Sequence, residues 1–168
     1  MSVIENTTVI SNFASICQLD LLRCLYTVVY ISTDVYQEIH VGLEEGYQFY
    51  EAVEQSLYPE IDTGWIHLTS LEDEQELRIF SSLPAHLHRG EASCLAISKQ
   101  RGWLFLTDDQ AARQEAARQG VRLSGTIGSL VLAVERGICT LGQGNSWLTD
   151  MIQRGYRSPV NDLAPLIG

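Results

Sequence analysis

The stretch Trp103-Leu-Phe-Leu-Thr-Asp-Asp-Gln-Ala-Ala-Arg113 decides the fold of this chain. Its first part, Trp103–Leu106, is apolar throughout, which is typical of a strand buried on both faces of a parallel sheet. Asp108 and Asp109 follow directly, and the Ala-rich segment 108–119 is predicted to be a helix. A strand that runs straight into a helix is the repeating unit of parallel α/β domains. Polar side chains just after the strand should then lie at the sheet edge where such domains bind ligands.

The same alternation of strand and helix extends outward to both ends of the chain. Strands are predicted at 3–10, 27–32, 65–68, 103–106 and 121–123, and helices at 13–24, 34–45, 47–57, 71–81, 90–100, 108–119 and 126–136. This order predicts an α/β fold with three layers, α/β/α, around a central, mainly parallel sheet. We expect residues 1–140 to form one domain. Residues 141–168 should add a helix and tail that pack on this domain or at an interface.

Charge restricts the classes of partner. The 168 residues carry a net charge of −10, which argues against tight, non-specific binding of nucleic acid through basic side chains alone. The charge is uneven, since residues 1–77 hold one basic and 14 acidic side chains, whereas residues 78–168 hold ten basic and seven acidic ones. An anionic ligand should therefore be bound mainly by the second half. Solvated helix faces in the first half explain part of the same asymmetry.

No targeting or membrane signal is visible, so the sequence predicts a cytoplasmic protein without a membrane partner. The N-terminus lacks a basic segment followed by an apolar one, and no apolar run approaches the ~18 residues that span a bilayer. The four cysteines form no C-x-x-C pair, and Cys17, Cys94 and Cys139 have apolar neighbours. Buried, reduced thiols are the expected state.

Several oxygen-bearing side chains follow predicted strands or begin helices. Asn6 lies in the first strand, Glu38 one turn into a helix, Glu91 at a helix start, and Asp108 and Asp109 after a strand. Carboxylate and amide oxygens suit a hard cation such as Mg²⁺ or Mn²⁺, which can activate water and neutralise charge on a phosphodiester. Taken singly, each of these acidic residues is explained better by helix capping or a solvated surface, and only the set as a whole favours a metal site.

Five motifs in order resemble the PIN-domain family, the fold of many metal-dependent ribonucleases, including VapC-type toxins. They are Val3-Ile-Glu-Asn-Thr-Thr-Val-Ile10, Val35-Tyr-Gln-Glu-Ile39, Arg89-Gly-Glu-Ala-Ser-Cys-Leu-Ala96, Leu106-Thr-Asp-Asp-Gln-Ala-Ala-Arg113 and Leu123-Ser-Gly-Thr-Ile-Gly-Ser-Leu130. The resemblance covers about residues 2–140. It departs from the usual pattern at Asn6, where most PIN domains have Asp.

The resemblance assigns roles to five residues. The implied catalytic residues are Asn6, Glu38, Glu91, Asp108 and Asp109, of which Glu38, Glu91 and Asp108 would bind the metal. By position in the sequence, Thr7 or Thr8 and, among Arg113, Arg118 and Arg122, first of all Arg113 are the candidates for binding substrate. An amide at position 6 can contact a cation but contributes no charge. Alternation along the strand should turn the neighbouring Glu5 to the opposite face, so it is a poor substitute.

The implied function is a divalent-metal-dependent endoribonuclease that hydrolyses RNA phosphodiester bonds with Mg²⁺ or Mn²⁺. Many relatives are toxins that pair with a small antitoxin and assemble as homodimers, so both are expected partners. The apolar face around Trp147, Leu148, Met151 and Ile152 suits either the protein's own core or such an interface. The alternative function is a catalytically weak or inactive PIN-fold module that binds RNA or protein. The presence of Asn6 favours this alternative, and the presence of Glu38, Glu91 and Asp108 argues against it.

Overall fold

The computed structural model describes all residues, 1–168, and is built around a six-stranded sheet. The strands are β1 (Ser2–Glu5), β2 (Val28–Ser32), β3 (Leu57–Tyr58), β4 (Ile66–Thr69), β5 (Leu104–Leu106) and β6 (Leu123–Ser124). Their order is β3-β4-β2-β1-β5-β6, and every neighbouring pair is parallel. The predicted fold class is confirmed, with β1 near the middle of the sheet.

Helices cover both faces of the sheet. They are α1 (Thr7–Ser15), α2 (Asp20–Leu25), α3 (Thr33–Glu44), α4 (Glu51–Glu54), α5 (Glu74–Ser82), α6 (Arg89–Arg101), α7 (Gln110–Arg118), α8 (Thr126–Glu135) and α9 (Leu141–Gln153). Helices α1, α2, α8 and α9 pack together on one face, and α3, α5 and α7 pack around α6 on the other. The core between these layers consists of one continuous cluster of buried apolar side chains.

Side-chain caps fix the points where strands and loops give way to helices. Five helices, α1, α3, α5, α7 and α9, begin after Asn6, Ser32, Asp73, Asp109 and Thr140, each of which accepts a hydrogen bond from a main-chain N–H of the first turn. Such a cap satisfies one of the N–H groups that have no partner inside the helix. Three of these caps lie at the carboxyl end of β1, β2 or β5, so the same polar residues define the ligand-binding edge of the sheet.

The first predicted strand is too long. The strand ends at Glu5, and the β-branched run that follows is the first half of α1, in which Val9 and Ile10 are buried beside Phe13. The Asn6 cap and burial of one helix face outweigh the local preference of Thr and Val for a strand.

Two predicted helices are divided in the structure. The helix expected over 13–24 is interrupted between α1 and α2, where Cys17 adopts a left-handed backbone with φ 59°. The segment 47–57 holds a 3-10 turn at Gln48–Tyr50, then α4, and it ends in the edge strand β3. The thiol prediction was wrong for Cys17, which is exposed in this turn, whereas Cys94 and Cys139 are buried and all cysteines are free.

The C-terminal segment packs onto the rest of the chain through α9. Leu148 and Met151 are fully buried in the protein's own core, and α9 contacts α1 and α8. Ile152 is 36% exposed at the end of the helix. None of the helices combines the length and the apolar character that crossing a lipid bilayer requires.

Glu5 is the one carboxylic acid of the core without a partner. Its side chain is completely buried, and neither carboxyl oxygen has a hydrogen-bond partner. Burial, and then the nearby charge of Asp108, raise the pKa of Glu5 well above its ordinary value. Glu5 lies on the opposite side of β1 from Ile4, because successive strand residues alternate. Burial without a hydrogen-bond partner therefore favours the neutral form of this acid.

The substitution Glu5→Met should stabilise the protein, most strongly at alkaline pH. Above pH 4.5 the unfolded chain releases the Glu5 proton while the folded chain keeps it, so folding loses stability as pH rises towards the raised pKa. Removing the unsatisfied group should raise the free energy of unfolding by about 1–3 kcal/mol. Each kcal/mol should raise the melting temperature by roughly 2–4 °C. Thermal denaturation followed by circular dichroism between about pH 4 and pH 9 measures both effects.

Glu76→Met provides the matched control, since Glu76 is equally buried but accepts hydrogen bonds from Arg101 at 2.6 and 3.2 Å. This variant leaves Arg101 without its partner and should lose about 3–5 kcal/mol. Equal destabilisation by the two substitutions at every pH would contradict the neutral state of Glu5.

Candidate functional site

The candidate site lies where the strand order reverses. From β1 the sheet extends through β2 and β4 in one direction and through β5 and β6 in the other, so the carboxyl ends of β1 and β5 flank a crevice of the kind that binds ligands in α/β proteins. Asn6 follows β1, and Thr107 follows β5. The Asn6 amide nitrogen donates a hydrogen bond to the Thr107 hydroxyl across this crevice at 2.8 Å.

Every polar atom of the Asn6 side chain has a partner inside the protein. Its oxygen accepts hydrogen bonds from the Thr8 main-chain N–H at 3.2 Å and from the Thr8 hydroxyl at 2.6 Å. The same hydroxyl accepts the Asp108 main-chain N–H at 2.9 Å. Asn6 is only 2% exposed. In this arrangement Asn6 joins the β1–α1 turn to the β5–α7 turn.

Glu38 is exposed on α3 and reaches the start of both α1 and α6. One carboxylate oxygen of Glu38 accepts a hydrogen bond from the Thr7 hydroxyl. The other oxygen lies so near Gly90 that a Cβ atom there would be 2.5 Å from it. Gly90 therefore provides the space that holds the Glu38 carboxylate at this edge.

Glu91 is buried in the first turn of α6 and is electrostatically strained. Burial, then the charge of Asp109, and to a smaller extent that of Glu38, raise the pKa of Glu91. A hydrogen bond from the His88 main-chain N–H at 3.1 Å partly offsets these effects. Glu91 is therefore a carboxylate close to two others.

Asp109 has two functions in the fold. One of its carboxylate oxygens accepts the Ala112 main-chain N–H at 2.8 Å and so caps α7, and its own N–H donates to the Thr107 hydroxyl at 3.1 Å. These bonds fix the carboxylate beside Glu91. The cap and the acidic cluster use the same residue, so the two interpretations of Asp109 left open by the sequence are compatible.

The Asp108 carboxylate is directed towards α8. It accepts hydrogen bonds from the Asn12 amide at 3.0 Å, from the Thr126 main-chain N–H at 2.9 Å and from the Thr126 hydroxyl at 2.5 Å. Gly125 leaves room for it, because a Cβ atom at that position would lie 2.4 Å from an Asp108 oxygen. Asp108 thus lies at the β5–β6 end of the crevice.

Thr7 contacts Glu38 directly, and Glu91 is near enough to Asp109 and Glu38 for their charges to raise its pKa. Glu38, Glu91, Asp108 and Asp109 form no ion pair, whereas Asp34 in the first turn of α3 pairs with Arg89 at 3.3 Å. No group of three or more His, Cys, Asp or Glu side chains is arranged so that it could hold a metal ion. The donors still suit Mg²⁺, which keeps several waters and uses one or two carboxylates. A cation would also relieve the repulsion that raises the Glu91 pKa.

Arg113 lies beside Asp108 but is held by main-chain oxygens. Its guanidinium donates to the Thr107 carbonyl at 2.8 Å and to the Ser124 carbonyl at 3.1 Å. These bonds tie the ends of β5 and β6 together. The predicted substrate-binding residue is therefore also a structural one, and it lines an open cavity together with Asp108.

The polar residues that hold Asp108 were not among the predicted site residues. Asn12 interrupts the apolar run of α1, and Thr126 begins α8 directly after Gly125. Asn12 shares its helix face with the polar residues Thr8 and Ser15, so the sequence gives no distinctive signal of this contact. The sequence also cannot identify the partner, which comes from the opposite end of the chain.

Comparisons with known proteins agree with this fold. A family model described as PIN domain, DUF3368, matches residues 2–167. The chain therefore belongs to the PIN-domain family, whose members are generally nucleases. Among solved structures it is similar to a PilT N-terminus domain protein from the hyperthermophilic archaeon Sulfolobus solfataricus P2, at 12% identity and a TM-score of 0.54, over 80% of this chain and 95% of that one. A search of curated proteins returned no match.

The substitution Glu91→Gln should raise the melting temperature of the metal-free protein. Glutamine keeps the oxygen that accepts the His88 N–H but removes the charge that burial, Asp109 and Glu38 disfavour. The gain should grow as pH rises from about 5 to about 8, because ionisation of Glu91 then destabilises the native protein more. Each kcal/mol gained corresponds to about 2–4 °C in a melting curve recorded with EDTA.

Glu45→Gln is a suitable control, because Glu45 is exposed at the end of α3 and has no side-chain partner. It should leave the melting temperature unchanged. A lower melting temperature for Glu91→Gln than for this control would contradict the strain assigned to Glu91.

Proposed function

We propose that this protein is a divalent-metal-dependent endoribonuclease. The observation that carries the proposal is the set of carboxylates from Glu38, Glu91 and Asp109 at the carboxyl edge of β1, β2 and β5, none of which forms an ion pair with a basic side chain. Proteins tolerate such repulsion mainly at functional sites. Oxygen-only donors favour Mg²⁺ or Mn²⁺ over zinc.

In the proposed site Glu38 and Glu91 hold the ion, and Asp109 adds negative charge beside them. A bound Mg²⁺ or Mn²⁺ would supply a more acidic water and a positive charge next to the phosphodiester. Thr7 positions Glu38 through its hydroxyl, and Gly90 leaves the space for that carboxylate. Hydrolysis would leave a 3′-hydroxyl and a 5′-phosphate.

Asp108 and Arg113 are proposed to contact the RNA strand at the β5–β6 end of the crevice. Asp108 completes the acidic edge, and hydrogen bonds from Asn12 and Thr126 fix the direction of its carboxylate. Arg113 offers a positive charge beside the strand while its other contacts stay with main-chain oxygens. Asp108 thus belongs to the proposed metal site, but it lies at the outer end of the site and Glu38 and Glu91 hold the ion.

Asn6 favours a second candidate function, a PIN-fold module that binds RNA or protein without cutting it. Both ends of the Asn6 amide are already hydrogen-bonded, to Thr8 and Thr107, and it adds no charge to the site. The two candidates differ in catalysis, so cleavage assays separate them.

Family membership supports a further proposal about partners. Some PIN domains pair with antitoxins, so we propose that this protein can be the toxin of a pair with a small antitoxin and can assemble as a homodimer. Growth arrest on expression, relieved by the protein encoded next to this one, tests the first claim. Light scattering of the purified protein tests the second.

Glu91→Gln and Glu38→Gln should each lower RNA cleavage by about 100-fold or more, because each removes a charge that stabilises the metal and the reaction. The assay is the decay of a mixed RNA pool with Mn²⁺, analysed on a denaturing gel. Glu45→Gln should cut like the wild type. If wild type, acidic-site variants and control degrade RNA equally slowly with both Mg²⁺ and Mn²⁺, the nuclease proposal is wrong.

Asn6→Asp should increase Mn²⁺ affinity, measured by titration calorimetry, if residue 6 belongs to the metal shell. The new carboxylate adds a charge, and the Thr107 hydroxyl can reverse its hydrogen bond and donate to it. An unchanged affinity would show that Asn6 only joins the two turns and does not belong to the metal shell. Cleavage by Asn6→Asp alone, with an inactive wild type, would favour the second candidate function.

A further inference from the structure

Two neighbouring cavities open beside the candidate site and share one wall residue. The first, of about 460 Å³, is lined by Asn12, Tyr47, Phe49, Arg154 and Tyr156 among others. The second, of about 320 Å³, is lined by Asp108, Arg113, Tyr156 and Arg157 among others. Tyr156 belongs to both. We call this continuous surface the Tyr156 groove.

The groove is lined by two arginines whose side chains form no ion pair, hydrogen bond or stacking contact. Of the eleven Lys and Arg residues, only Arg23, Arg154 and Arg157 have neither an ion pair nor a side-chain hydrogen bond or stacking contact. Two of these three line the groove. In a chain of net charge −10, two adjacent free guanidinium groups form a local site for anions.

Aromatic rings form the other wall. Phe49 lies between Tyr47 and Tyr50, with ring centroids 5.9 and 4.5 Å away. Tyr47 is 54% exposed, so one ring faces the solvent instead of the core. Exposed aromatic rings beside basic side chains bind single-stranded nucleic acid, since rings stack on bases and arginines bind phosphates.

Asn12 connects the groove to the acidic edge. It lines the first cavity, and its amide donates to the Asp108 carboxylate at 3.0 Å. Tyr156 approaches the same carboxylate from the other cavity, where burial and then the Asp108 charge raise its pKa. A strand bound in the groove would therefore continue directly to the proposed site of cleavage.

We propose that the Tyr156 groove is a nucleotide subsite that holds single-stranded RNA beside the bond to be cut. Tyr47 and Phe49 stack on a base, and Arg154 and Arg157 bind the flanking phosphates. The inference rests on the proposed RNA substrate. The unpaired arginines favour RNA over a protein partner, because an apolar protein segment would leave both charges unmatched at the interface.

Binding without cleavage tests the subsite. The probe is a fluorescein-labelled 12-nucleotide RNA of unstructured sequence, measured by fluorescence anisotropy in EDTA at low ionic strength. Tyr47→Ala should weaken binding by about 5- to 150-fold, the range for one stacked base. Arg154→Ala and Arg157→Ala should each weaken it and should each lower the slope of log affinity against log salt by roughly one.

Two matched variants control for loss of an arginine or an exposed tyrosine. Arg23 is the third unpaired arginine, and Tyr58 is 45% exposed on β3, and neither lines the groove. Arg23→Ala and Tyr58→Ala should bind the RNA like the wild type. If they weaken binding as much as the groove variants, or if Tyr47→Ala and Arg154→Ala bind normally, the subsite is wrong.

The same measurements separate this inference from the nuclease proposal. Wild-type protein that cuts no RNA but binds it through Tyr47 and Arg154 would overturn the proposed catalysis and support the subsite. If the wild type cuts RNA and the groove variants bind and cut it equally well, the catalysis is supported and the subsite is wrong. The groove would then be a surface for a protein partner.

Discussion

The hydrogen bond from the Asn6 amide to the Thr107 hydroxyl determines how the two halves of the functional edge meet. It joins the turns that follow β1 and β5, the two strands at which the sheet order reverses. The Asn6 oxygen orients Thr8, and Thr8 in turn accepts the Asp108 N–H. The positions of Thr7 and Asp109 therefore depend on a buried contact that itself carries no charge. An amide suits this role because it donates and accepts at once.

Carboxylates in this protein fall into two electrostatic classes. Glu76 and Glu115 are buried with arginine partners, and hydrogen bonds from those arginines lower the pKa of each despite the opposing effect of burial. Glu5 and Glu91 have no basic partner, and burial raises the pKa of both. Of these two acids, Glu91 lies at the crevice, whereas Glu5 is completely buried in the core. Burial without an arginine partner therefore disfavours the charge of Glu91 at the candidate site.

The periodicity of apolar residues was sufficient to predict the layered fold, but it was insufficient to predict where each strand and helix begins and ends. Apolar runs such as Trp103–Leu106 and helix-spaced residues gave the order of strands and helices, and the sheet is parallel as predicted. The run after Asn6 was misassigned because its β-branched residues favour a strand locally, while the cap and distant packing favour a helix. The direction of the Asp108 carboxylate could not be predicted, because Asn12 and Thr126 reach it only after folding. The contribution of Tyr156 was missed for the same reason, since its segment has no regular pattern.

Gly90 and Glu91 are neighbours in sequence, yet they provide two different parts of the acidic edge. Glu91 contributes its own carboxylate, and Gly90 contributes the absence of a side chain that lets the Glu38 carboxylate approach α6. Gly90 and Glu91 therefore together set the distance between the carboxylates of Glu38 and Glu91, which belong to separate helices. A methyl group at position 90 would displace the Glu38 carboxylate from its present position while it left every titratable residue of the chain unchanged. The capacity of this edge to hold a cation is thus limited as much by shape as by charge.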